Sequence, residues 1–130
     1  MALSVRETQV LSQLAYMYLN QGFTERACLL YAALHLLQPE APQHVRGIAV
    51  SNARAGRPDR ALAALDLLAL RGEVDAPYYS LRARVLGSLK RPDEAQAAMR
   101  SYLGLRASAS VNDKSSRSSD HSRKIKARST

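Results

Sequence analysis

Tryptophan is absent from these 130 residues, and phenylalanine and cysteine occur once each. A single thiol, Cys28, excludes a disulfide framework and a four-thiolate zinc site. β-Branched apolar residues are scarce, which argues against an extensive sheet. No apolar run approaches the roughly 18–20 residues that a membrane helix requires, so no direct membrane insertion is expected. Arg6 and Glu7 interrupt the start before any long apolar stretch, so a secretory signal is not expected there. Catalytic and cofactor patterns are missing too. His35, His44 and His121 have no Asp, Glu or Cys at ligand spacing, and Gly47 to Gly56 lacks a phosphate-loop pattern. His35 reads as a half-buried helix residue, and Cys28 as a small core hydrophobe rather than a nucleophile. No catalytic residue, metal or cofactor is expected, and hence no enzyme.

What is abundant is Ala and Leu, with 21 and 19 copies, both favourable in helices. The length suits one domain, and the expectation is a small, soluble, intracellular, all-α protein. Its formal charge is +8. Residues 107–130 hold eight Ser and six Lys or Arg against two Asp, so they carry +4 of that surplus. With Val111 and Ile125 as their only large aliphatics, they read as a disordered basic Ser-rich tail. Such a tail can be an electrostatic arm for nucleic acid, a solvated terminus or an appended extension. It has no aromatic residue for base stacking, and no nucleic-acid partner is expected.

The body repeats with a period of 34 residues. Gly22-Phe23-Thr24-Glu25-Arg26-Ala27 aligns with Gly56-Arg57-Pro58-Asp59-Arg60-Ala61, and then with Lys90-Arg91-Pro92-Asp93-Glu94-Ala95. Small residues recur upstream at Ala15, Ala49 and Ala83, and large ones downstream at Tyr31, Leu65 and Met99. This order of large, small, turn, small and large at this period is the tetratricopeptide signature. The first repeat fits best. The second has Asn52 where an aromatic or leucine is usual, and the third has Lys90 in place of the turn glycine.

Helix signals complete the reading. Ser4 with Glu7 forms a capping box for a first helix that runs to Asn20. Thr24 caps a second helix that ends before Pro39, and Pro42 and Pro58 open the third and fourth. Asp75 caps the fifth, and Pro92 opens a sixth that fades after Leu105. The predicted fold is three tetratricopeptide-like hairpins over residues 4–106, with repeats at about 8–41, 42–75 and 76–106. They would form a short right-handed solenoid. The second and fourth helices are apolar almost all round, so burial on several sides is expected. No seventh helix follows to cover Met99, Tyr102, Leu103 and Leu105, which leaves that cover to a partner or a second copy. A chain that self-associates or aggregates when alone is the corresponding expectation.

The first helix of each hairpin would line the concave face. Its candidate partner-binding residues are Gln9, Ser12, Tyr16, Leu19 and Asn20 from the first repeat, and Arg46, Val50, Ala53 and Arg54 from the second. Leu81 and Arg84 come from the third, with Tyr78 placed beside them. An apolar floor with three arginines suits an amphipathic helix or extended peptide carrying carboxylates.

The run Gly22 to Leu30, with Ala33-Leu34-His35-Leu36 and Gln38-Pro39-Glu40, resembles the YscY (SctY) chaperones of bacterial type III secretion. In that family a Gly-x-x-Glu-Arg-Ala-Cys run opens the second helix and Pro-Glu closes it. The resemblance spans about residues 5–106, and residues 22–40 are its most specific part. It implies a non-enzymatic, virulence-associated protein of the bacterial cytoplasm, peripheral to the inner-membrane export apparatus. The implied partners are a small secreted protein of the YscX (SctX) type and the cytosolic domain of the YscV (SctV) export gate. The alternative is a tetratricopeptide adaptor, or a chaperone for another secretion subunit such as a needle protein or translocator.

Overall fold

The computed structural model describes the backbone of residues 3–128 and the side chains of residues 3–113. Its helices are α1 (Val5–Asn20), α2 (Thr24–Leu37), α3 (Pro42–Arg54), α4 (Pro58–Leu70), α5 (Ala76–Ser88) and α6 (Pro92–Arg128). Each packs against the next along the chain, and α1 also touches α3. The fold is all-α, with six helices packed sequentially in adjacent pairs as helical hairpins.

Local chemistry sets the starts. The Ser4 hydroxyl accepts the Glu7 N–H at 3.1 Å, and the Asp75 carboxylate accepts the Tyr78 N–H at 3.0 Å. Each thus satisfies one of the orphan donors at a helix N-terminus. Pro42, Pro58 and Pro92 occupy the first helical turn, where the missing N–H costs nothing. Thr24 differs from expectation. It is already helical, Phe23 stands at the cap position, and the Thr24 hydroxyl donates back to the Gly22 carbonyl at 3.4 Å.

The turns inside the hairpins share one construction. Gly22 and Gly56 take φ of +86° and +76°, and Lys90 takes +58° in the third copy. At each, the left-handed residue donates to the carbonyl three before it, and the next N–H reaches five back: Phe23 to Tyr18, Arg57 to Asn52, Arg91 to Leu86. These are Schellman closures, which satisfy the last carbonyls of a helix. The repeat register thus holds in backbone geometry even where glycine is lost.

Two apolar clusters form the interior. Ala15, Leu19, Ala27, Tyr31 and Leu34 join α1 to α2, and a second cluster around Val45, Ala49, Leu65, Leu68, Tyr78 and Val85 spans α3, α4 and α5. Ala15, Ala27, Ala49 and Ala61, at the crossings of the first two hairpins, are fully buried because only small side chains let helix axes approach closely, while Ala95 in the third is half-buried. Asn52 is tolerated in the core because its amide donates to the Ile48 carbonyl at 2.8 Å and accepts from Arg57 Nε at 2.9 Å.

Other expectations need correction. Leu29, Leu36 and Leu70 are 73%, 82% and 85% exposed, so α2 and α4 each keep an outer face in water. Tyr78 points into the core, with Tyr79 against it edge-to-face at 5.0 Å between ring centroids, and does not line the groove. Cys28 is only half-buried, and its sulfur accepts from Arg57 Nη2 at 3.1 Å. The sixth helix does not fade after Leu105. It continues to Arg128, through a stretch without glycine or proline to stop it, and residues 103–113 are exposed along it. Of the expected tail, Ser129, Thr130 and the side chains from residue 114 onward, His121 included, lie outside the described residues. Met99, Leu103 and Leu105 are exposed as anticipated, whereas Tyr102 is half-buried.

Candidate functional site

The first helices of the three hairpins, α1, α3 and α5, frame a row of adjoining recesses. The largest, about 810 Å³, lies between α1, α2 and α3 and brings together Ser12, Tyr16, Leu19, Asn20, Arg46, Val50 and Arg54. A second, about 440 Å³, continues past Ser12 to Gln9 and ends on His44. The third, about 280 Å³, shares Val50 and Arg54 with the first and extends to Ala53, Leu81 and Arg84. Of the residues expected on this face, Gln9, Ser12, Tyr16, Leu19, Asn20, Arg46, Val50, Ala53, Arg54, Leu81 and Arg84 line one of three adjoining hollows, and Tyr78 does not.

Sequence reasoning missed part of the floor. Tyr31, on α2, reaches the main recess from behind α3 because Gly47 leaves room for its ring. A Cβ on Gly47 would collide with the Tyr31 ring. A glycine within a helix costs about 1 kcal/mol relative to alanine, and that cost was the available signal of a packing role. Met17 and Gln13 also line the recess. Burial, then the nearby Tyr16, raises the Tyr31 phenol above its ordinary pKa against the opposing pull of Arg54, so it stays neutral.

The three arginines are not equivalent, which corrects the expectation that all would await a partner. Arg46 is already engaged within the chain: Nη1 and Nη2 reach the two Asp75 oxygens at 3.0 and 2.8 Å, and Glu73 Oε2 lies at 3.8 Å. Burial pushes the Asp75 carboxyl up, but hydrogen bonds from Arg46 and the Tyr78 N–H, with the Arg46 charge, hold it below the usual carboxylate range. Arg54 donates to the Leu19 carbonyl at 3.3 Å and is otherwise exposed. Arg84 is exposed and forms no ion pair with a described residue.

At the far end, His44 is 1% exposed and shares a 2.8 Å hydrogen bond between its Nε2 and Gln38 Oε1. Its Nδ1 and that of His35 are buried without a protein partner. Burial, followed by the proximity of His35, holds His44 below the ordinary histidine pKa. Among the described residues no group of three or more His, Cys, Asp or Glu is placed to hold a metal ion, and no helix is long and apolar enough to cross a membrane. The arrangement offers an aromatic and aliphatic floor with amide and guanidinium edges, which is a surface for holding a chain. The sequence matches no protein-family model, and no curated protein matches it.

Proposed function

We propose that this chain is a tetratricopeptide-like chaperone of bacterial type III secretion. Its three hairpins form a short solenoid whose groove holds a small secreted partner of the YscX type. The partner is then delivered to an export gate of the YscV type, without catalysis. The observation that carries this reading is the row of adjoining recesses along α1, α3 and α5, lined by most of the residues expected on a concave face. The 34-residue recurrence of the turns at Gly22, Gly56 and Lys90, in sequence and in backbone, supports the solenoid. The resemblance over residues 22–40 supports the secretion role and rests on those residues alone. The exposed Met99, Leu103 and Leu105 on α6 give a partner a second apolar area to cover.

The test is co-expression with a YscX-type protein. Co-purification is expected with the unaltered protein and lost with Tyr16→Ala combined with Arg84→Glu. A monomer that is stable alone and ignores the YscX-type protein would overturn the reading. Recovery of a needle protein or translocator in its place would move it to the alternative chaperone class.

A further inference from the structure

The groove is basic by omission as much as by content. Among the described residues, no aspartate or glutamate lines the main recess, the recess between α3 and α5, or the hollow that continues past Arg84 to α6 and Met99. The three are joined through shared residues, Val50 and Arg54 at one seam and Ser80 and Arg84 at the other. Along this trough Arg46 is neutralised by Asp75 and Glu73, which leaves Arg54 and Arg84 as exposed cations beside an apolar floor. Three of the described acidic residues pair with arginines away from the trough: Glu25 with Arg57, Asp66 with Arg82, Glu94 with Arg91.

We infer that the groove selects an acidic amphipathic helix, whose apolar stripe lies on Tyr16, Met17 and Val50 and whose flanking carboxylates meet Arg54 and Arg84. The inference rests on the groove reading above and adds the charge of the occupant. A basic helix would set like charges beside both arginines, and a neutral one would leave them without partners as water is excluded. Arginine is suited to the task, because its planar fork can take a carboxylate in two parallel hydrogen bonds.

The probes are three labelled helical peptides of roughly 18 residues, five turns. They share one leucine stripe and differ only in a Glu, Gln or Lys polar face. Fluorescence anisotropy with the full chain is expected to rank Glu above Gln above Lys, with the Glu advantage shrinking as salt rises. Arg54→Gln with Arg84→Gln is expected to reduce the Glu-over-Gln preference by about tenfold, through weaker Glu-peptide binding and equal or tighter Gln-peptide binding. Arg84→Gln alone, at an exposed position, should give part of that loss with the fold undisturbed. Tyr16→Ala should weaken all three peptides. Equal affinity for Glu and Gln peptides, a Lys preference, or no binding of the Glu peptide overturns the charge inference. The groove reading stands or falls separately, on co-purification of the YscX-type protein and its sensitivity to Tyr16→Ala.

Discussion

Between α2 and α3, the Tyr31 ring lies against a helix that carries Gly47, whereas at the matching place between α4 and α5 the same two repeat positions hold Leu65 and Leu81. One junction pairs a very large side chain with none, and the other pairs two of middle size. Both fill their space, but they hold their helices together differently. Both carry arginine ion pairs, Arg57 to Glu25 at the first and Arg46 to Asp75 and Arg82 to Asp66 at the second, but the first adds a buried polar group, His44 on Gln38. The lesson is that a repeat fixes position. The sizes of the side chains at that position, and the polar chemistry around them, are set separately at each junction.

The largest expected effect comes from forcing the second pattern onto the first. Gly47→Leu drives a side chain into the Tyr31 ring and should destabilise by about 2–3 kcal/mol, after a small gain in helix propensity. Combining it with Tyr31→Leu recreates the Leu–Leu pairing and should recover at least half of that loss. Urea unfolding of the two single variants and the double variant closes the cycle. Strict additivity would show that the volumes are not exchanged as argued.

pH separates the junctions by chemistry. His44 has a folded pKa below its unfolded value near 6.5, so the unfolded chain binds more protons in the window beneath that value. Stability from the first junction is therefore present above about pH 6.5 and falls as acid passes through the histidine range. The depressed Asp75 follows the same rule lower down: its contribution is present above about pH 3.9 and is lost as pH falls through its folded pKa. His44→Gln should flatten the upper step and leave the lower one. An unchanged upper step would remove His44 from the account.

At the second junction, Asp75→Ala deletes the α5 cap and the Arg46 ion pair together, with an expected loss of about 1–2 kcal/mol. Asp75→Asn should lose less, because an asparagine still caps. The half-exposed pair should also weaken in high salt. If Asn and Ala cost the same, the ion pair rather than the cap carries the effect.

Which parts of this were legible in advance follows from the range of each interaction. Ser4, Asp75 and the three prolines act within one helical turn, so their roles can be read from adjacent letters. The groove residues came from periodicity, and apart from Tyr78, which turns into the core, they line adjoining hollows. What escaped depends on residues distant in sequence. Arg46 finds Asp75 across a whole hairpin, and Tyr31 reaches the groove only because Gly47 stands in its path. The extent of α6 escaped for another reason. Low apolar content says that the residues after Leu105 lack burial but does not mark a helix end, and no glycine or proline lies between Leu105 and Arg128.

The smallest effect tests the repeat itself, away from both junctions. Lys90 adopts at φ +58° the backbone that Gly22 and Gly56 adopt in the first two copies. A side chain in this region crowds the following carbonyl, and glycine avoids that crowding at some cost in unfolded-chain entropy. Lys90→Gly should therefore stabilise by about 0.5–1 kcal/mol, without altering the salt or pH response of the junctions. The reverse change is equally informative. A Cβ at Gly56 would meet nothing within 4 Å, so Gly56→Ala should lose about 1 kcal/mol through backbone strain alone. If Lys90→Gly destabilises instead, the lysine contributes more at this turn than its conformation costs, and the third copy is not a weakened version of the first two.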